Sequence, residues 1–180
     1  MSESNESLPI RHNSRVLLIN EQNELLLMRV QLPTHSFWCT IGGGTEFGET
    51  AEMAVKREAR EEIGFDEDDI QWKKAVWYGE HVMERKGVPT LHKETFVLGR
   101  TSRTQINNAG MTDEEREVVQ QFKWWSLEEL RATNEFIVPP SIIRHLVPIM
   151  RGEIPEKIIT IDLKNTPPAK LENFGPVPKF

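Results

Sequence analysis

A cluster of glutamates near residue 60 is the part of the sequence best suited to chemistry. Glu58, Glu61 and Glu62 lie in the run "REAREEIGF". Positions three and four apart share one face of an α-helix, so these carboxylates would project to the same side. Repulsion between them costs roughly a few tenths of a kcal/mol per pair. Their place near the C-terminal end of the helix costs roughly 0.3–1 kcal/mol per charge, because it opposes the helix dipole. Carboxylates without soft ligands suit Mg²⁺ or Mn²⁺, which would offset that cost.

Three consecutive glycines before the helix strengthen this interpretation. Gly42, Gly43 and Gly44 allow the backbone to approach a ligand closely, and they lead towards a helix N-terminus, where N–H groups favour phosphate. A solvated acidic face is the alternative for the glutamates taken alone. A loop suited to anions beside a helix suited to cations instead predicts that the ligand is a metal-bound phosphate.

The helix that carries the glutamates has clear end signals. It is predicted from Ala51 to Ile63, with Thr50 as N-cap and Gly64 just after the last turn. Short apolar strands are expected before it, at 15–20, 25–30 and 37–41. The segments 70–83 and 92–102 resemble two paired strands.

In the second half of the chain, the sequence predicts short helices and one more strand. An acidic loop around 107–121 is expected to hold a short helix, and "FKWW" has the composition of a strand. Ser126 and Glu129 form a capping-box pattern at the start of another helix. A further helix is expected over 139–150, ended or bent by Pro148. The fold class is therefore an α/β mixture with few crossovers.

Length, composition and charge limit the number of domains, the class of binding partner and the expected location of the protein. A chain of 180 residues suits one domain, taken here as residues 10–150 between a flexible N-terminus (1–9) and a Pro-rich C-terminal tail (151–180). The net charge of −6 argues against nonspecific binding to nucleic acid or to an anionic membrane. Cys39 is the single cysteine, which excludes an internal disulfide, and we expect it to be buried. The sequence has neither a membrane-length apolar run nor a signal pattern, so we expect a cytoplasmic protein.

The spacing of seven residues resembles the Nudix box, Gly-x5-Glu-x7-Arg-Glu-U-x-Glu-Glu-x-Gly-U, where U is an aliphatic residue. All fixed positions are met, by Gly43, Glu49, Arg57, Glu58, Glu61, Glu62 and Gly64. The two U positions hold Ala59 and Phe65, and Ile41 stands where many relatives have proline. The surroundings are similar to the family from about Arg11 to Met150.

This resemblance implies an α/β/α sandwich around a mixed sheet. It also implies an Mg²⁺- or Mn²⁺-dependent enzyme that hydrolyses a diphosphate bond in a nucleoside diphosphate derivative or a related small molecule. Glu58, Glu61 and Glu62 would bind the metal, together with the carbonyl of Gly42, and Glu61 or Glu62 would activate water. Arg57 would hold Glu49. The remaining box positions would shape the loop and the phosphate site: Gly43, Gly44 and Gly64.

Several assignments stay open at this point. One further acid from outside the box is expected to assist, with Glu94, Glu114 and Glu115 as candidates. Trp38 and Arg29 are candidates for substrate contact, although a strand tryptophan is more often part of a core. Two rival functions are a non-catalytic ligand-binding Nudix module and an enzyme of the isopentenyl diphosphate isomerase type, which needs a reactive cysteine. A homodimer is also left open.

Overall fold

A computed structural model describes residues 7–164. Residues 1–6 and 165–180 lie outside this range, and with them most of the predicted flexible N-terminus and the last part of the predicted Pro-rich tail. The described part contains nine strands and four α-helices. The strands are β1 (Ile10–Asn20), β2 (Leu25–Gln31), β3 (Ser36–Cys39), β4 (Gly42–Gly44), β5 (Gln71–Arg85), β6 (Val88–Thr101), β7 (Val119–Trp125), β8 (Ile137–Val138) and β9 (Ile159–Thr160). The helices are α1 (Ala51–Ile63), α2 (Asp113–Val118), α3 (Leu127–Ala132) and α4 (Ile142–Met150).

The strands form one mixed sheet in the order β8-β3-β2-β1-β6-β5-β9, with β4 paired to β1 and β7 paired to β2. The central pair, β1 and β6, is parallel, whereas β5 and β6 form a long antiparallel hairpin. The β1–β6 register places Arg11 beside His92 and Asn13 beside Glu94. Residues about eighty positions apart in the chain therefore meet in the middle of the sheet.

Each face of the sheet is covered by helices. Val55, Ala59 and Ile63 of α1 pack on one face against apolar residues of β1 and β2. Leu146 and Ile149 of α4 pack on the opposite face, together with residues of α3. The arrangement is an α/β/α sandwich around a mixed sheet, which confirms the predicted fold class.

The segment after Met150 packs against the sheet as far as Lys164. Helix α4 continues two residues beyond Pro148, and the N–H of Arg151 bonds to the carbonyl of Val147 as the helix ends. Strand β9 then pairs with β5, and Ile161 and Leu163 are buried in the core on the α4 side. The first part of the predicted tail thus contributes to the core. Within the described range, no helix is both long and apolar enough to cross a membrane.

Candidate active site

Helix α1 begins and ends where its local sequence predicts. The Thr50 hydroxyl accepts a hydrogen bond from the N–H of Met53, which satisfies one free donor of the first turn. At the other end, Gly64 is left-handed, with φ 70°, and its N–H bonds to the carbonyl of Arg60. Both ends are fixed, so the acidic last turn is held against the glycine segment β4.

Arg57 ties this helix to the loop before it. Its Nε donates to Glu49 Oε1 at 2.8 Å, and one terminal nitrogen donates to Glu49 Oε2 at 2.9 Å, a two-point ion pair. The guanidinium also donates to the Gly44 carbonyl at 3.0 Å, to Glu58 at 2.8 Å and to Glu61 at 3.2 Å. The hydrogen bond from Arg57 lowers the pKa of Glu49 to about 2. Arg57 therefore fixes the corner between loop and helix.

Glu58 and Glu62 turn inward and are buried, with 6% and 4% of their surface exposed. Burial raises the pKa of Glu58, although Arg57 acts against that rise. Burial and then the charge of Glu58 raise the pKa of Glu62 well above its usual value, with the N–H of Gly42 opposing them at 2.7 Å from Glu62 Oε2. These carboxylates are thus held in surroundings that disfavour their negative charge.

Glu61 differs from its two neighbours because about half of its side chain is exposed. It lines an open cavity of about 580 Å³ together with Glu58, Arg57 and the three glycines. Glu115 of α2 borders the same cavity. The three glutamates near the end of α1 therefore differ in position: Glu62 lies behind the glycine segment, Glu58 lies at its edge and Glu61 lies towards solvent.

Two of the glycines have a steric reason to be glycine. Gly42 has φ 128°, and a Cβ there would lie 2.2 Å from the Ser14 carbonyl oxygen. A Cβ on Gly43 would lie 2.6 Å from a carboxylate oxygen of Glu58. Any side chain at these positions would displace β1 or Glu58, so the glycines let the loop backbone lie directly against the carboxylates.

The available donors fit a hard divalent cation. Within residues 7–164, three of the α1 glutamates use one carboxylate oxygen in hydrogen bonds and leave the other without such a bond: Glu58, Glu61 and Glu62. The Gly42 carbonyl lies nearby and accepts from Arg15 at 3.1 Å. An all-oxygen set of this kind suits Mg²⁺ or Mn²⁺, and a cation would relieve the burial cost that raises the pKa of Glu62.

The other predicted acids occupy different surroundings. Glu94 is buried in β6, and its Oε2 accepts from Arg15 Nε at 2.9 Å. Burial favours the neutral carboxyl, but the charge of Arg15 and the hydrogen bond from His81 hold the pKa of Glu94 below its usual range. Glu114 is exposed on α2, whereas Glu115 faces the cavity and also accepts from the Thr112 N–H in a capping box. Of these three, Glu115 lies on the cavity wall.

The two candidate substrate residues are engaged elsewhere. Trp38 is 3% exposed and packs edge to face with Trp125, so its ring is part of the core. Arg29 donates to the Ser36 hydroxyl at 3.0 Å and lies 3.9 Å from Glu135. Neither side chain lines the cavity described above. The structure thus supplies no contact that would favour either residue for substrate binding.

Cys39, expected to be buried, is the last residue of β3 and is partly buried. Burial is nevertheless sufficient to raise the pKa of its thiol to about 12, although Arg15 acts in the opposite direction. The thiol is therefore protonated near neutral pH, and a protonated thiol is a weak nucleophile. This finding argues against chemistry that needs a reactive cysteine.

Sequence reasoning missed three basic residues on β1. Arg11 and His12 line the cavity with the carboxylates, and Arg15 joins Glu94 to the Gly42 carbonyl. The available signal was the polar run "RHNSR" directly before the apolar "VLLIN". This run reaches the site only because β1 pairs with β4, which brings Arg15 opposite Gly42.

Comparison with known proteins agrees with this architecture. Two curated relatives, RNA pyrophosphohydrolases from Orientia tsutsugamushi strains Boryong and Ikeda, are each 32% identical over 76 residues, or 42% of this chain. The match spans about half (47%) of the length of these relatives.

Solved structures share the fold at low sequence identity. A MutT protein from Methanosarcina mazei is 19% identical with a TM-score of 0.54, covering 82% of this chain and 96% of that protein. The E. coli dihydroneopterin triphosphate pyrophosphohydrolase is 18% identical with a TM-score of 0.57, covering 79% and 97%. The profile of the NUDIX domain matches residues 10–146, which include the whole box and most of the described fold. The chain belongs to the Nudix family.

Proposed function

We propose that the protein is a divalent-metal-dependent hydrolase that cleaves a diphosphate bond in a nucleoside diphosphate derivative or a related small molecule. The observation that carries the proposal is the cavity in which Glu58 and Glu61 meet the glycine backbone, with buried Glu62 directly behind. The pyrophosphohydrolase names of the curated relatives point to the same reaction class.

Each part of the site has a role in this proposal. Glu58, Glu61, Glu62 and the Gly42 carbonyl would hold Mg²⁺ or Mn²⁺. The bound ion would neutralise diphosphate oxygens and make a water molecule more acidic. Glu61 is better placed than Glu62 to accept the proton of that water, because its carboxylate lines the cavity whereas Glu62 is buried behind Gly42.

The basic residues would act on the substrate and on the loop. Arg11 and His12 border the carboxylates and can meet phosphate oxygens that extend away from the metal. Arg57 would act on geometry, because its five nitrogen–oxygen contacts hold Glu49, Gly44, Glu58 and Glu61 in one arrangement. The intact set of carboxylates favours this enzyme over a non-catalytic binding module.

The catalytic unit in this proposal ends within the described residues. Ile161 and Leu163 belong to the core, so we place the end of the folded unit at about Lys164 and not at Met150. Removal of residues 165–180 should leave turnover within a few-fold of the full chain. A large loss would instead give the tail a part in building the pocket or a dimer.

A substrate screen tests the proposal. The full chain would be incubated with diphosphate compounds in Mg²⁺ or Mn²⁺, with detection of phosphate, pyrophosphate and nucleoside monophosphate. RNA with a 5′-triphosphate and pterin triphosphates belong in the panel because of the names of the similar proteins. Metal-dependent release that stops with a chelator is expected. Full turnover in chelator would disprove the metal mechanism, and the absence of turnover on every class would disprove the hydrolase.

A further inference from the structure

Two neighbouring arginines on the sheet, Arg11 and Arg85, form a positive site outside the Nudix box. Arg11 lies on β1 opposite His92 of β6, and Arg85 lies on β5 opposite Val88 of β6. His92 and Val88 are four residues apart along β6, so both arginines project from the same face of the sheet. Burial and then the charge of Arg85 lower the pKa of Arg11, so the two charges are close enough to repel each other.

Neither arginine forms an ion pair with any residue between 7 and 164. Arg11 Nε donates to Asn13 Oδ1 at 2.9 Å, which leaves its two terminal nitrogens without a hydrogen bond in this part of the chain. Arg85 Nε is buried and has no hydrogen-bond partner among the described residues. Partly buried charges without partners are costly, and two of the same sign are more so. This arrangement predicts that an anion binds beside them.

The acids that act on Arg11 are already engaged with other arginines. The charges of Glu58 and Glu94 raise the pKa of Arg11, but burial and the neighbouring arginines outweigh them. Glu58 pairs with Arg57 at 2.8 Å. Glu94 pairs with Arg15 at 2.9 Å. The fold therefore leaves the positive charge of Arg11 without a carboxylate of its own.

Arg11 lies beside the carboxylates of α1, because it lines the same cavity as Glu58. A Cβ on Gly43 would lie 2.6 Å from a carboxylate oxygen of Glu58. A Cβ on the next residue, Gly44, would lie 2.7 Å from Arg11 Nη2. Neighbouring residues of β4 thus approach the carboxylate and the guanidinium. A chain of phosphates that lies along β4 can meet a metal ion at Glu58 and the guanidinium of Arg11.

The amount of positive charge indicates which kind of phosphate fits. A terminal phosphate group carries a charge of about −1.5 to −2 near pH 7. A diphosphate that is esterified at both ends has no such group. A guanidinium binds a phosphate through two parallel hydrogen bonds, and a second guanidinium nearby matches the second negative charge.

We propose that Arg11, with the added charge of Arg85, binds a terminal phosphate group next to the diphosphate held by the metal, so that triphosphates are preferred over diphosphates esterified at both ends. The assignment of this phosphate to a substrate rests on the proposed hydrolase function. Arg11 lines the cavity and would contact the phosphate, whereas Arg85 does not line it and would contribute charge.

Two small compounds test this subsite without hydrolysis and without a nucleoside. Methyl triphosphate has a free terminal phosphate, whereas P1,P2-dimethyl diphosphate has none. Their binding to the full-length Glu61→Gln variant, in which turnover is suppressed, would be measured by calorimetry at saturating Mg²⁺. The triphosphate should bind roughly tenfold or more tightly, as expected for hydrogen bonds to a charged group. Equal affinity for the two compounds would overturn the proposal.

Further substitutions in that background assign the preference to the arginines. Arg11→Gln should remove most of the preference and leave binding of the diphosphate nearly unchanged. Arg85→Gln should reduce the preference a few-fold, and Arg85→Lys should retain it because lysine keeps the charge. The matched control is Arg131→Gln, an exposed arginine on α3, which should change neither affinity. Circular dichroism confirms that each variant is folded, and a preference that persists in folded Arg11→Gln would refute the subsite.

The subsite and the hydrolase fail in different ways. Hydrolysis of diphosphate compounds together with a preference that does not depend on Arg11 would refute the subsite and keep the hydrolase. Binding that depends on Arg11, without hydrolysis of any compound in the screen, would support the phosphate subsite and disprove the hydrolase.

Discussion

Two groups of buried carboxylates in this molecule behave in opposite ways. Glu58 and Glu62 on α1 are 6% and 4% exposed, and Glu94 on β6 is 6% exposed. Burial and a like charge raise the pKa of Glu62, whereas Arg15 and His81 hold the pKa of Glu94 below its usual range despite burial. Equal burial thus leads to opposite protonation behaviour.

The difference lies in where the compensating charge comes from. At Glu94 the fold itself supplies it, through the ion pair with Arg15. On α1, Arg57 reaches Glu58 and Glu61 but makes no hydrogen bond to Glu62 in the described structure. A carboxylate whose charge the fold leaves uncompensated is available to an added cation, whereas one paired within the fold mainly stabilises the structure.

Substitution at Glu61 should have the largest effect. Glu61→Gln keeps the size and helix propensity but removes one metal-binding charge, so turnover should fall by about 10²–10⁴-fold. Steady-state hydrolysis of whichever substrate the screen finds, at saturating Mg²⁺, measures it.

The matched control for this substitution is Glu52→Gln, an exposed glutamate in the first turn of the same helix. It should change neither turnover nor the response to metal. If Glu61→Gln kept its turnover and lost metal-free stability, Glu61 would be a structural partner of Arg57.

Glu94 should matter for folding rather than for the metal on α1. Glu94→Gln leaves Arg15 without its carboxylate in a mostly buried position, and removal of one member of such a pair typically costs about 3 kcal/mol or more. Urea unfolding in chelator gives the free energy of unfolding. Glu80→Gln, which removes an exposed carboxylate paired with Lys93, should leave that free energy nearly unchanged. Equal values for the two variants would contradict the comparison.

The two regions also differ in how far sequence predicts them. Helix α1 was predicted with its ends because Thr50 and Gly64 act through bonds to residues only a few positions away. The surroundings of Glu94 depend on the β1–β6 register, which joins positions 13 and 94, and no local pattern specifies that pairing. The unequal exposure of Glu61 and Glu62 also depends on tertiary packing, because helical periodicity places both on one side of α1.

Glu62→Gln should change the free energy of unfolding of the metal-free protein in the opposite direction to Glu94→Gln. It removes a like charge near Glu58 and an unfavourable charge near the end of the helix. The free energy of unfolding in chelator should therefore rise, by on the order of 1 kcal/mol. Mg²⁺ should stabilise the variant less than the wild type, because the folded state loses part of its preference for the ion. A fall in metal-free stability would mean that the bond from Gly42 outweighs these charges.

The pH dependence of metal-free stability should distinguish a carboxylate whose pKa is raised, Glu62, from one whose pKa is lowered, Glu49. Glu62 has a raised pKa in the folded state, so the folded protein holds an extra proton and stability falls as pH rises above about 4.5 towards that pKa. Glu49 has a pKa of about 2, so its contribution is present above about 4.5 and is lost as pH falls towards 2. Urea unfolding across this range in chelator measures both slopes. The decline above pH 4.5 should flatten in Glu62→Gln, and an unchanged slope there would rule out Glu62 as its source.

The smallest expected effect concerns Glu115, which borders the cavity from α2. Like Glu94 it accepts a hydrogen bond within the fold, and like Glu62 it lies close to the carboxylates of α1. One of its oxygens accepts from the Thr112 N–H at 2.8 Å, and its charge adds to the field that raises the pKa values of Glu58 and Glu62. Glu115→Gln can keep the capping bond, because Gln also serves at that position of a capping box. The variant loses only the added charge, so the Mg²⁺ concentration for half-maximal turnover should rise a few-fold with little change in maximal rate. Exposed Glu114→Gln should not shift the Mg²⁺ requirement. A loss of maximal rate comparable to that of Glu61→Gln would instead make Glu115 a participant in catalysis.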